Sequence, residues 1–315
     1  MAARGARVRA LAKVNLELRV LGRRSDGYHE LRTVFQTISL ADSIDIEFTP
    51  ARRTTISVTA DVEIAGGNIM ERAAALALEA MGTTGRVEMR LRKRIPMGAG
   101  LGGGSSDAAA VLLALPALAA ERLAPAKLMD LAAALGSDVP FFLLGGTAVG
   151  LGRGTELYPL PDRPAAFGLV VAPGIHVSTA EAYRDLGRPE LTSGAPDNII
   201  SVFQSSVWDQ GRFSSESLGF NDFEAVVLAR YPRLKALKRQ LERLGATPAM
   251  LSGSGSALLG VFRERGQAGH AREVLGKEQA LPVRFVTRGS YRARWWRELG
   301  AHISEKVWPP QSRYA

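Results

Sequence analysis

A chain of 315 residues is long for a single hydrophobic core, so two domains are expected. Its 46% hydrophobic and 23% charged residues exclude a chain dominated by disorder, and the absence of cysteine excludes disulfides, iron–sulfur clusters, thiolate zinc sites and cysteine nucleophiles. The net charge of +9 is dispersed, and even the densest basic stretch, 284–297 with five arginines, is interrupted by Trp295-Trp296; small anions such as nucleotides are expected as partners rather than nucleic acid.

The opening residues include Arg4, Arg7 and Arg9, but no apolar signal-peptide core follows them, and no run of about 18 apolar residues occurs anywhere. No membrane span and a cytoplasmic setting are therefore expected. Residues 8–21 alternate as a strand, with Val14, Leu16, Leu18 and Val20 opposite Lys13, Asn15, Glu17 and Arg19. Lys13 and Asn15 thus share a face, which by periodicity alone reads as the solvated one. After a turn over 22–27, Tyr28-His29 put a ring and an imidazole at a loop edge, for packing or for binding. Strands are expected over 31–40, 43–48 and 55–59, then a helix from Asn68 to about Met81 and a strand over 87–91. That strand runs through Lys93, where a cation could reach a nucleotide, into the stretch that organises the chain.

Pro96-Met97-Gly98-Ala99-Gly100-Leu101-Gly102-Gly103-Gly104-Ser105-Ser106-Asp107 has five glycines between positions 98 and 104 and precedes an alanine-rich helical run over 108–115. Glycines let backbone amides approach a ligand and allow positive φ, and the helix adds its unpaired amides and positive end, so the loop is built to hold phosphate. Ser105 or Ser106 can cap the helix, leaving the other hydroxyl for a phosphate oxygen or a metal ion. No Lys follows Gly104, which excludes a Walker loop, and the G-x-G-x-x-G spacing of Gly98, Gly100 and Gly103 lacks the acidic strand end about 20 residues on that a dinucleotide fold needs.

Pro116 is expected to end or kink the helix, and a second helix runs from Pro125 to Leu135 and stops at Gly136. Asp138 stands at its exit among apolar residues, either as a local cap or as a reactive acid. A glycine-rich strand and turn fill 145–154, and prolines over 161–164 mark a boundary. The domains are therefore read as 1–160 and 161–290, with a tail over 291–315 whose order is left unassigned. The second half reads as a strand over 167–172, a long connection over 191–219, a helix opened by residues 221–224 and ending near Arg230, and an amphipathic helix over 232–245 with Leu234, Leu237, Leu241 and Leu244 on one stripe. Ser252-Gly253-Ser254-Gly255-Ser256 is a second small-residue loop, either a hairpin turn or a close-packing or anion-holding partner of the first. A helix over 266–276 and a strand over 283–287 follow. Strands and helices alternate in both halves, which gives an α+β chain with mixed sheets.

Ala12-Lys13-Val14-Asn15-Leu16, residues 96–106 and residues 252–256 occur in the order in which the chain resembles the GHMP kinase superfamily, named for galactokinase, homoserine kinase, mevalonate kinase and phosphomevalonate kinase. Residues 22–36, 102–107 and 135–142 are similar to the 4-diphosphocytidyl-2-C-methyl-D-erythritol kinase family within it, and the resemblance spans residues 8–290. It implies a two-domain GHMP kinase fold, with an N-terminal domain like domain 2 of ribosomal protein S5, a ferredoxin-like C-terminal domain and an active site in the cleft between them. The implied reaction is ATP-dependent phosphorylation of the substrate's 2-hydroxyl in the non-mevalonate route to isoprenoid precursors. Asp138 is then the catalytic acid–base group and Lys13 its partner. Residues 96–106 bind ATP, and Asn68 and Lys93 lie near the adenine nucleotide. Tyr28, His29 and Tyr183 hold the cytosine ring, while Asn15 and Thr179 help place the substrate. Magnesium is implied by ATP, with no assigned ligand beyond the candidates Ser105 and Ser106. The neighbours of Tyr183 depart from the family pattern, and Pro116 and the tail have no counterpart in it. A mevalonate or homoserine kinase is disfavoured because neither substrate has a base for Tyr28-His29 to hold; a non-catalytic RNA-binding protein is the remaining alternative class.

Overall fold

The computed structural model describes residues 2–64, 67–162, 166–191 and 219–315. Most of the expected 191–219 connection and part of the 161–164 boundary lie outside the described residues. Two long strands, β1 (Arg4–Arg23) and β2 (His29–Pro50), form an antiparallel hairpin closed by the turn that carries Tyr28. The two strands expected over 31–40 and 43–48 are one, bent by register shifts that fall between Leu11 and Lys13, Asn15 and Glu17, and Val20 and Gly22 of its partner. Such bulges bend a strand without ending it and re-aim side chains. The stretch from Ala10 to Leu18 is buried on both faces, so Lys13 and Asn15 are not solvated as periodicity suggested.

Around this hairpin lies a seven-stranded mixed sheet. β3 (Thr55–Ala60) runs parallel to β4 (Gly85–Arg92), which pairs with β2; β5 (Thr147–Gly152) pairs with the other half of β2, and β6 (Glu156–Pro159) with β5. The helices α1 (Ile69–Met81), α2 (Gly103–Ala119), α3 (Pro125–Leu135) and α4 (Val139–Leu144) bury the largest apolar cluster against one face. Asn68 caps α1, its Oδ1 accepting the Met70 amide at 2.9 Å. Helix α2 begins five residues earlier than its alanine run and passes through Pro116; every residue from Ser106 to Ala119 is buried, and packing on all sides overrides the proline.

The second half is a four-stranded, wholly antiparallel sheet rather than a mixed one. Its order is β11-β7-β10-β9, from β7 (Phe167–Val171), β9 (Ala249–Leu251), β10 (Leu258–Phe262) and β11 (Ala280–Arg284). One face packs on α5 (Thr179–Leu186), α6 (Glu224–Arg230), α7 (Pro232–Arg243) and α8 (Arg265–Leu275). The other joins β1 and β2 in a third apolar cluster in which Val14, Leu16 and Ile38 meet Val170, Met250 and Leu259. A short strand, β8 (Phe220–Asn221), adds itself in parallel to β1.

The strand expected over 283–287 lies three residues earlier, because the chain changes sheets there. Arg284 still pairs with Phe167, but Phe285 bridges to Ile38 and the Val286 amide donates to the Thr37 carbonyl at 2.9 Å. The segment left unassigned as a tail forms α9 (Arg288–Glu298) and a turn-rich end, and Tyr291, Trp295, Leu299 and Ile303 are buried in the first half's core.

Candidate active site

The glycine loop folds as its composition requires. Gly98, Gly100 and Gly102 have φ of 65°, 77° and 69°, a region that side chains rarely adopt. Ile95, Ala99 and Leu101 anchor the loop in the core, and the Leu101 carbonyl accepts the Lys13 amide at 3.0 Å. Residues 97–98 form a turn, and among the described residues none of the backbone N–H groups of Met97, Gly98, Gly100, Leu101 and Gly102 donates to a protein acceptor. Helix α2 starts directly after them, with Gly102 at its N-cap and no side-chain cap. The loop therefore presents unpaired donors at a positive helix end, as an anion site does.

Neither serine caps α2. The Ser106 hydroxyl is buried and donates to the Leu11 carbonyl at 2.7 Å, whereas Ser105 lines the cavity described below. The second small-residue loop is at once a hairpin connection between β9 and β10 and a close-packing partner of the first. The Ser252 hydroxyl donates to the Gly100 carbonyl at 3.0 Å, the Ala257 amide to the Ala99 carbonyl at 3.1 Å, and a Cβ on Gly100 would lie 2.1 Å from the Ser252 carbonyl oxygen. Asn221, expected only as part of a helix start, holds this loop from β8 by donating to the Leu251 and Gly253 carbonyls at 3.0 and 2.8 Å.

Asp138 precedes α4 with helical φ and ψ but makes no side-chain cap bond, so the cap reading fails on geometry. Its carboxylate is about one-third exposed and lies 3.4 Å from the Lys13 Nζ, which is buried. Lys13 is oriented by a short chain of bonds: its ammonium donates to Asn15 Oδ1 at 2.8 Å, Asn15 Nδ2 donates to the Thr33 hydroxyl at 2.7 Å, and that hydroxyl donates to the Glu17 carbonyl at 2.7 Å. Asn15 thus links Lys13 to Thr33 inside the protein.

From Asp138 a cavity of about 960 Å³ extends between the two halves. Ser105, Ser137, Tyr28, His29, Thr179 and Tyr183 line it with Asp138. His29 and Tyr183 stack at 4.2 Å between ring centroids, and Phe223 meets the Tyr183 ring edge-on at 4.9 Å. Burial, and then the nearby Arg23 guanidinium, hold the His29 imidazole below the usual histidine range. The ring is therefore neutral near pH 7 and can both donate and accept. Burial, and then the Asp138 carboxylate, push the Tyr183 hydroxyl up to about 12. Thr179 is tied to the second loop through a 2.8 Å contact with the Ser254 hydroxyl.

Sequence reasoning missed the arginines of this cavity: Arg23, Arg153, Arg184 and Arg188 all line it, and Arg153 covers the Tyr28 ring at 4.5 Å. Their only signal was position, beside turns that flank the strands, and topology alone brings those turns together. Two residues expected near the nucleotide make defined protein contacts. Asn68 serves as the α1 cap. Lys93 is enclosed beneath the loop, its ammonium 2.5 Å from Asp42 and 2.9 Å from Asp107, so its charge is already matched by carboxylates. Met97 is the one largely exposed member of the loop's apolar residues.

The descriptions "GHMP kinases N terminal domain" and "GHMP kinases C terminal" match residues 68–146 and 210–280. A 4-diphosphocytidyl-2-C-methyl-D-erythritol kinase from Solibacter usitatus is 59% identical over 314 residues, covering 99% of this chain and 98% of its own. The chain belongs to the 4-diphosphocytidyl-2-C-methyl-D-erythritol kinase family. A Moorella thermoacetica kinase of that name is 42% identical over 89% of this chain and 97% of its own. A crystal structure of 4-(cytidine 5'-diphospho)-2C-methyl-D-erythritol kinase superposes with a TM-score of 0.72 at 39% identity, over 89% of this chain and 98% of that one. Homoserine kinase from Cytophaga hutchinsonii, at 16% identity and a TM-score of 0.65, shares the fold. As a member of this kinase family the chain is an ATP-dependent small-molecule kinase of the two-domain GHMP type, and among its described residues no helix is long and apolar enough to cross a membrane.

Proposed function

We propose that this kinase transfers the γ-phosphoryl group of ATP to the 2-hydroxyl of 4-diphosphocytidyl-2-C-methyl-D-erythritol, giving the 2-phosphate and ADP in the non-mevalonate route. The observation that carries the reading is one cavity with Asp138, paired to Lys13 next to the glycine loop, at one end and a neutral imidazole stacked on the Tyr183 ring at the other. The first end suits phosphoryl transfer to an alcohol; the second suits a flat, hydrogen-bonding base.

An alcohol is a weak nucleophile at neutral pH, so a carboxylate within hydrogen-bond reach must accept its proton as the O–P bond forms. Asp138 takes that role: its carboxylate opens to the cavity and spends no oxygen on a helix cap. Lys13, fixed by Asn15 and Thr33, holds the carboxylate in place and offers positive charge to the phosphoryl oxygens in transit. The unpaired amides of the glycine loop and the α2 terminus receive the ATP phosphates. Tyr28, His29 and Tyr183 hold the cytosine ring, Thr179 helps to place the substrate, and the cavity's arginines match the charge of the substrate diphosphate.

Magnesium fits this site as an ion that arrives with ATP. Among the described residues no cluster of three acidic or histidine side chains can cage a cation, whereas nucleotide-bound magnesium needs only one or two protein oxygens. Ser105, whose hydroxyl has no protein partner among the described residues, would supply one of them, and the ion would offset charge between the β- and γ-phosphates. The test is the product. ³¹P NMR after turnover should show one new phosphomonoester per ADP with the substrate diphosphate intact; a shortened diphosphate or a phosphorylated cytidine would overturn the reading.

A further inference from the structure

Helix α4, which carries Asp138 at its start, has only six residues and therefore few hydrogen bonds of its own, the Gly145 amide donating to the Phe141 carbonyl at 2.9 Å. Its last carbonyls are satisfied from outside. The Tyr291 hydroxyl donates to the Phe142 carbonyl, and the Trp308 indole N–H donates to the Leu143 carbonyl at 2.9 Å. Both donors come from the segment after residue 290, beyond the stretch over which the sequence resemblance runs. Tyr291 also fills the space beside Gly145, where a Cβ would come within 2.4 Å of its ring. The two rings contact each other edge-on at 6.0 Å, and Trp296 fixes the Trp308 turn by donating to the Val307 carbonyl at 2.9 Å. On its inner side α4 touches the machinery directly: a Cβ on Gly102 would meet the Phe142 ring at 2.8 Å and Lys13 Cγ at 3.1 Å.

We infer that residues 288–315 are a positioning clamp for the catalytic base, with Tyr291 and Trp308 holding α4, and through it Asp138, at its distance from Lys13 and the glycine loop. The inference rests on the proposed role of Asp138. Burial keeps the Tyr291 hydroxyl protonated and so a permanent donor. Losing either donor leaves a buried carbonyl unpaired at the end of a helix too short to hold its own position, and a shift of the base by a fraction of an ångström is amplified in rate.

The test is a double-mutant cycle on the full-length chain. Tyr291→Phe, which keeps the ring and removes the donor, and Trp308→Phe, which removes the donor and leaves a smaller ring, should each lower kcat about tenfold with KM for ATP nearly unchanged. In an Asp138→Asn background the same changes should have almost no further effect, since a clamp that acts through the base cannot matter once the base is gone. Unchanged kcat in both single variants, with only a lower melting temperature, would reduce the segment to a structural cover. Losses that multiply in full with Asp138→Asn would place the effect elsewhere. If Trp308→Phe fails to fold, Tyr291→Phe alone decides. Near-normal turnover of the Asp138→Asn single variant would instead remove the role of Asp138, and the clamp with it, whatever the aromatic variants do.

Discussion

Two carboxylates behave oppositely because of what surrounds them. Asp138 has one cation and open water, and its oxygens are available; Asp138→Asn should therefore lower kcat about a hundredfold or more while ATP binding, measured by nucleotide titration, stays near normal. Asp107 is buried beside Lys93 with a second carboxylate, Asp42, on the same ammonium. One positive charge cannot balance two negative ones. Asp42 also accepts the Arg94 and Ile95 amides, whereas Asp107 Oδ1 has no partner, so Asp107 is the group that burial pushes up, to about 7. A carboxyl whose pKa rises on folding holds its proton longer in the native state. Its contribution is full below the unfolded value near 4 and is lost as pH rises towards about 7. The stability difference between wild type and Asp107→Asn, followed by chemical denaturation, should therefore shift in favour of the variant across that window; a constant difference would contradict the assignment.

At the scale of elements, the two small-residue loops interlock through backbone, and glycine is demanded where they touch. Gly100→Ala, at φ of 77° with its Cβ 2.1 Å from the Ser252 carbonyl, should destabilise by about 2 kcal/mol or more in denaturant titrations. Gly104→Ala, inside α2 with nothing nearer than the Ile69 methyl at 3.9 Å, should be neutral or mildly stabilising. Equal effects at the two positions would deny that the loops lock together. The sequence carried much at this scale, because α3 runs between Pro125 and Leu135 as its proline and glycine signals require. It misjudged elements whose limits depend on distant partners. Lys13 and Asn15 alternate as on a wet strand, yet the glycine loop, Asp138 and Phe35 enclose Lys13 and the second small-residue loop reaches Asn15. Pro116 signals a helix end, yet packing on all sides carries α2 past it. The extended pattern over 283–287 is real but is shared between two sheets.

For the whole molecule, we place the division between the halves near residue 160, with residues 288–315 returning to the first half after the second is complete. The cavity belongs to neither half alone. Tyr28, His29, Ser105 and Asp138 come from the first, Thr179 and Tyr183 from the second, and the third apolar cluster beneath them keeps the walls in register. Local residue type made Tyr28, His29 and Asp138 visible as candidates, whereas the arginines and the clamp segment gain meaning only from this assembly. One measurement tests the central claim most directly: ADP release by the full-length protein with ATP and magnesium, with 4-diphosphocytidyl-2-C-methyl-D-erythritol, mevalonate and homoserine offered separately as acceptors. Turnover confined to the cytidylated acceptor is the predicted result; turnover with mevalonate or homoserine at a comparable rate, or none with the cytidylated acceptor, would contradict it.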